Sequence, residues 1–115
     1  MNTIHTADDA IDSLIETGGF SWGIEAPNHG YMVAINGTEI RLHVLSYRGI
    51  VVDTIRAMKR HQSSPLNYIG GWRDGEYIYL DESVWVADEA AAIQLGYEQR
   101  QIAIYDIKNQ ETITL

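Results

Sequence analysis

Hydrophobic residues recur at helical spacing in three segments of the chain, which predicts three helices. The first covers residues 7–17, with Thr6 as its N-cap and acids in its first turn. The second covers 48–62 and carries basic residues in its last turn, and the third runs from the cap Asp88 to about residue 100. The residues predicted to face the core are Ala10, Ile11, Leu14 and Ile15, then Ile50, Val51, Ile55 and Met58, then Ala91, Ala92, Ile93, Leu95 and Tyr97.

A tight hairpin is predicted at Asp74-Gly75, a dipeptide that favours a two-residue type I′ turn. This turn would pair Arg73 with Glu76 and Trp72 with Tyr77. Side chains alternate across a sheet, so the hairpin has two distinct faces. One face would hold Ile69, Ile78 and Leu80, and the other Tyr68, Trp72, Tyr77 and Tyr79.

A second hairpin is predicted at Asn36-Gly37, pairing Val33 with Ile40 and Tyr31 with Leu42. Residues 20–29 have no sustained period and contain Gly and Pro, which indicates a loop or irregular edge. A brief strand or a connector is expected at 84–86, and short strands are expected at 101–107 and 112–115. The sum is a single α+β domain over 1–115, with a mostly antiparallel five- to six-stranded sheet built on two hairpins and about three helices.

The composition is that of an ordinary globular chain, but its charge is strongly negative. The 115 residues include sixteen Asp and Glu and eight Lys and Arg, which gives a net charge of −8. Such a chain repels phosphates, so direct nucleic-acid binding is not expected, whereas a basic protein surface would be attracted. No apolar run approaches a membrane span and no signal peptide is evident, which favours a cytoplasmic protein without membrane contact.

No motif for catalysis or cofactor binding is present in the sequence. There is no cysteine, and the histidines lack the i, i+4 spacing of a helical zinc site. The Gly-Gly pairs lack a phosphate-loop context, and no serine lies in a Gly-x-Ser-x-Gly elbow. We therefore expect no enzymatic activity, no metal and no cofactor.

The hairpin carries the candidate binding residues. Its aromatic row lies either under a helix or on an open face, where it would anchor a protein partner or a second copy of the chain. Carboxylates at Asp88 and Glu89 are typical of a helix start, whereas those of the hairpin and its flanks are expected on the solvated surface. The residues predicted to bind a partner are Trp72, Asp74, Glu76, Tyr77, Tyr79, Asp81 and Glu82.

The segments GGF (18–20), GYMVAI (30–35), NYIGGWRDGEYIYLD (67–81) and QIAIYDIKNQETI (101–113) resemble small uncharacterised proteins of phages, prophages and plasmids. The resemblance implies an accessory protein of a mobile element. Compact acidic proteins of this class often inhibit a host defence complex, as anti-CRISPR or anti-restriction proteins do. The alternative is a structural or homo-oligomerising module of a phage or prophage.

Overall fold

The computed structural model describes residues 3–115, which form three helices and seven strands. The elements in chain order are α1 (Ala7–Thr17), β1 (Gly19–Trp22), β2 (Tyr31–Ala34), β3 (Ile40–His43), α2 (Arg48–Arg60), β4 (Tyr68–Asp74), β5 (Tyr77–Val86), α3 (Glu89–Glu98), β6 (Ala103–Asp106) and β7 (Glu111–Thr114).

All seven strands belong to one antiparallel sheet with the order β1-β4-β5-β2-β6-β7. The ten-residue strand β5 is its centre, because β4 pairs with one edge of β5 while β3 and β2 share the other edge end to end. The α+β fold with about three helices is thus confirmed, although the sheet has more strands than expected. In residues 3–115 no helix is long and apolar enough to span a membrane.

The predicted helix starts are confirmed for α1 and α3. Thr6 Oγ1 accepts from Asp9 N at 3.1 Å while Asp9 Oδ2 accepts from Thr6 N at 3.1 Å, which completes a capping box. Asp88 caps α3 by accepting from Ala91 N at 2.9 Å. The second helix is shorter than predicted and begins without a side-chain cap.

The helices pack on one side of the sheet, which we call the helix face. Helices α1 and α2 cover Ile69, Ile78 and Leu80, all buried, as the sequence predicts for these three residues. Helix α3 covers Val33 and Ile104 further along. Four of the predicted core positions are wrong, because these side chains are exposed to solvent: Ile15, Ile50, Ala91 and Tyr97. Residues 19–22 form the edge strand β1, where Phe20 is buried as expected.

The first hairpin forms, but its turn lies one residue later than predicted. Gly75 and Glu76 are the two loop residues, and only Gly75 has positive φ, at 58°. This fits a type II′ turn, which needs Gly only at its first position. The pairing therefore shifts by two residues, so Trp72 lies opposite Tyr79 and Arg73 lies opposite Ile78. The predicted pair of Arg73 with Glu76 does not form. A shift of two preserves every predicted face.

The second hairpin prediction is wrong, because β2 and β3 do not pair with each other. The Asn36-Gly37 turn exists, with Thr38 N donating to Ile35 O at 3.3 Å, but the chain then continues along β5 instead of folding back. Thr38 joins the two strands to β5. Its Oγ1 accepts from Glu82 N at 3.0 Å and donates to Ile35 O at 2.8 Å, so a side chain replaces a missing ladder bond.

Candidate functional site

The side of β4, β5 and β3 that points away from α1 and α2 carries most of the predicted binding residues. We call it the open face. Strand alternation places Trp72 and Asp74 of β4 beside Tyr77, Tyr79 and Asp81 of β5. Strand β3 adds Arg41 opposite Tyr79 and His43 opposite Tyr77. In the described part of the chain, residues 3–115, all three helices pack on the other side and none covers these aromatic residues.

Three of the aromatic residues form a continuous row. Trp72 stacks on Tyr79 with ring centroids 4.7 Å apart and planes 19° from parallel, and Tyr77 follows at 6.4 Å from Tyr79. The guanidinium of Arg41 lies 4.5 Å from the centre of the Tyr77 ring, and His43 meets the same ring edge to face. Trp72 remains 46% exposed. The row is therefore ordered by its own contacts and still accessible.

Tyr68, predicted to belong to this row, is buried instead, with 5% of its surface exposed. A Cβ at Gly23 would overlap the Tyr68 ring, so the chain after β1 lies directly on it. The loop that follows is held by Trp85, whose Nε1 donates to His29 O at 2.7 Å. This loop closes one end of the sheet and leaves the Trp72 end free.

Asp81 lies at the border of the open face, half-buried and opposite Gly70. Its Oδ1 accepts from Ser83 Oγ at 2.7 Å, and a Cβ at Gly70 would lie 2.8 Å from the same oxygen. Burial, together with the smaller effect of the negative charge of Glu39, outweighs the Ser83 hydrogen bond and raises the pKa of Asp81 to about 6. Among the residues that the structure describes, no cation forms an ion pair with this carboxylate.

A cavity of about 420 Å³ opens beside Asp81. One wall is the loop between β2 and β3, and the other is the connection from α3 to β6. The backbone N of Asn36 donates to Gln99 Oε1 at 2.9 Å and ties these walls together. The charged residues that line the cavity are Glu39, Asp81 and Arg100.

The expectation that Glu82 lies on the solvated surface is wrong. It points to the helix face and is 7% exposed. Asn67 Nδ2 donates to its Oε2 at 2.6 Å, and Ser63 donates through both its backbone N and its hydroxyl. Burial alone would raise the pKa of Glu82, but these hydrogen bonds outweigh burial and lower it. Glu82 therefore fastens the segment after α2 to the sheet.

The other predicted carboxylates are at the surface. Asp74 ends β4 on the open face, and Glu76 lies in the exposed turn. Asp88 and Glu89 begin α3, as expected, and Glu89 also accepts from the Tyr31 hydroxyl at 3.3 Å. Arg41 and Glu39 were missed by the sequence interpretation. The alternation of Arg41 with Leu42 is a sequence signal for the first, whereas no sequence signal indicates that Glu39 lines the same cavity as Asp81.

Within residues 3–115 no group of three or more His, Asp and Glu side chains is arranged to hold a metal ion. Comparisons with protein-family models, with curated proteins and with solved structures find no match to this chain.

Proposed function

We propose that this protein is a non-enzymatic binding protein that contacts a basic surface of another protein through its open face. The observation that supports this proposal best is the stacked pair of Trp72 and Tyr79, which is ordered and yet uncovered. Aromatic side chains in this state give up little conformational entropy on binding and commonly anchor protein interfaces.

The charge of the chain supports a basic partner. The net charge is −8, and the four ion pairs of the described residues join Arg48 and Arg56 to Asp8, Asp12 and Asp53, on and beside the α1–α2 surface. None of these four ion pairs includes Asp74 or Asp81 of the open face. Complementary charge speeds the encounter with a basic surface and disfavours nucleic acid.

The resemblance to phage, prophage and plasmid proteins supplies the proposed class of partner. We propose a host defence complex, such as a CRISPR effector or a restriction enzyme, which the protein inhibits or modulates by contact. Such machines bind nucleic acid through basic grooves, and an acidic protein can occupy a surface of that kind.

The test is affinity capture from host lysate with three forms of the protein, followed by mass spectrometry. The wild type and Tyr97→Ala should retain the same partner, whereas the double substitution Trp72→Ala with Tyr79→Ala should lose it. Tyr97 is a matched control because it is an aromatic residue on α3, 62% exposed and outside the open face. The captured complex should also weaken as salt rises.

Two results would contradict the proposal. Retention of the partner by the double variant would remove the open face from the interaction. Sedimentation showing a stable oligomer of the chain alone, dissociated by Trp72→Ala, would favour the alternative of a homo-oligomerising module.

A further inference from the structure

We infer that the Trp72 end of the open face receives an arginine side chain of the partner, stacked on the indole and paired with the carboxylate of Asp81. This inference rests on the proposed function, because it specifies what the partner presents to the face.

The face already contains one contact of this kind. At the other end of the aromatic row, the guanidinium of Arg41 lies 4.5 Å from the centre of the Tyr77 ring. The chain's own arginine thus occupies Tyr77, whereas none of the cations described in the structure lies over Trp72, which is 46% exposed. An arginine from outside would repeat at Trp72 the arrangement that Arg41 makes at Tyr77.

Asp81 supplies the second half of the site. Gly70 and Asp81 form the second residue pair along from Trp72 and Tyr79, which places the two pairs about 7 Å apart along the strands. One arginine side chain can span that distance. Because Gly70 has no side chain, nothing from β4 stands between the indole and the carboxylate. Asp81 Oδ1 accepts only from Ser83 among the described residues, so an incoming N–H donor finds an available acceptor.

The surrounding charges favour a cation at this position. Glu39 lines the cavity on the same side as Asp81, and Asp74 lies two residues beyond Trp72 on β4. Arg100 lines the far side of the cavity, and no ion pair in residues 3–115 joins it to either carboxylate. Arginine is favoured over lysine because a planar guanidinium stacks on an indole while it donates to a carboxylate.

The experiment titrates the purified chain with acetyl-arginine amide at pH 7.5 and follows the protein by two-dimensional ¹H–¹⁵N NMR. The indole N–H of Trp72 and the amides around Asp81 should shift saturably, with millimolar affinity. The indole of Trp85 is an internal control, because its Nε1 is engaged with His29. Acetyl-citrulline amide, which has the same shape without the charge, should give no saturable shift at these positions.

Two variants of the protein test whether Asp81 is part of the arginine site. Asp81→Asn should weaken binding of the arginine analogue at least threefold, because the guanidinium loses its carboxylate partner. Asp53→Asn makes the same change on the exposed surface of α2, on the other side of the sheet, and should leave the affinity unaltered. Three outcomes would overturn the inference. The citrulline analogue or a lysine analogue could bind as tightly as the arginine analogue, the arginine analogue could saturate another surface, or its affinity could be unchanged in Asp81→Asn.

These results are distinguishable from those of the capture experiment. A partner captured through the open face, together with no response to the arginine analogue, would preserve the proposed function and refute the arginine site. A response to the analogue without any captured partner would preserve the arginine site and refute the proposed function.

Discussion

Glu82 accepts a hydrogen bond from Asn67 at 2.6 Å on the helix face, between the core under α1 and α2 and the core under α3. A carboxylate in this position is unusual, because burial of an ionised group is costly unless donors surround it. Here Ser63 and Asn67 are those donors. The contact thereby explains why a polar residue occupies the centre of the longest strand.

The substitution Glu82→Gln should lower the free energy of unfolding by about 2–3 kcal/mol, because an amide places an N–H₂ group among donors that need an acceptor. Urea denaturation of the two proteins measures the difference. The control is Glu76→Gln in the exposed turn, expected to change stability by less than about 0.5 kcal/mol. Equal effects of the two substitutions would show that the hydrogen bonds to Glu82 contribute nothing specific.

The pH dependence of this difference follows from the direction of the shift. The folded pKa of Glu82 is lowered from its ordinary value of 4.5. Its ionised form therefore contributes stability that is fully present above pH 4.5 and is lost as the pH falls through the folded pKa. The advantage of wild type over Glu82→Gln should shrink in that acidic window and stay constant between pH 6 and 8.

Local signals predicted the elements of this fold well, and non-local pairing explains where they failed. The capping box of α1 involves residues three apart, so Thr6 and the first turn were readable directly. The dipeptide Asp74-Gly75 indicated a hairpin, but one glycine with positive φ fits either of two neighbouring turns. The second of these turns is the one that forms, and no local signal distinguishes them.

The Asn36-Gly37 turn shows the same limit more strongly. The dipeptide does form a turn, yet strand β5 offers both β2 and β3 a longer partner than either offers the other. The candidate site depends on this outcome, because the loop between β2 and β3 contains Glu39 and lines the cavity beside Asp81. Alternation correctly separated Trp72, Tyr77 and Tyr79 from the buried Ile69, Ile78 and Leu80, but could not show that the helices choose only one side.

The junction of β2 and β3 predicts a second stability effect. Thr38→Val keeps the shape of the side chain but removes the hydroxyl that accepts from Glu82 N and donates to Ile35 O. We expect a loss of about 1–2 kcal/mol, because the Glu82 amide is left without its acceptor. Thr54→Val is the matched control, since the Thr54 hydroxyl bonds only to the preceding turn of its own helix. Thermal unfolding of both variants tests the contrast.

Two glycines should respond in opposite directions to alanine. A Cβ at Gly71 would overlap the Phe20 ring on the helix face, so Gly71→Ala should destabilise the protein by about 2–3 kcal/mol. A Cβ at Gly49 meets nothing within 4 Å in helix α2, so Gly49→Ala should stabilise it by about 0.5–1 kcal/mol. Chemical denaturation measures both, and a destabilising Gly49→Ala would contradict the exposed helical placement of that residue.

Asp81 predicts the opposite pH dependence to Glu82, because its folded pKa is raised from 3.8 to about 6. The folded state therefore binds this proton more tightly, so the stability linked to it is fully present below pH 3.8 and is lost as the pH rises through about 6. At pH 8 the ionised carboxylate opposes folding, and Asp81→Asn should be more stable than wild type by about 2–3 kcal/mol, since one pKa unit corresponds to about 1.4 kcal/mol. This difference in stability between Asp81→Asn and wild type should shrink as the pH falls toward 4. Urea denaturation at several pH values measures it, and a gap that does not vary with pH would show that Asp81 titrates alike in the folded and unfolded chain.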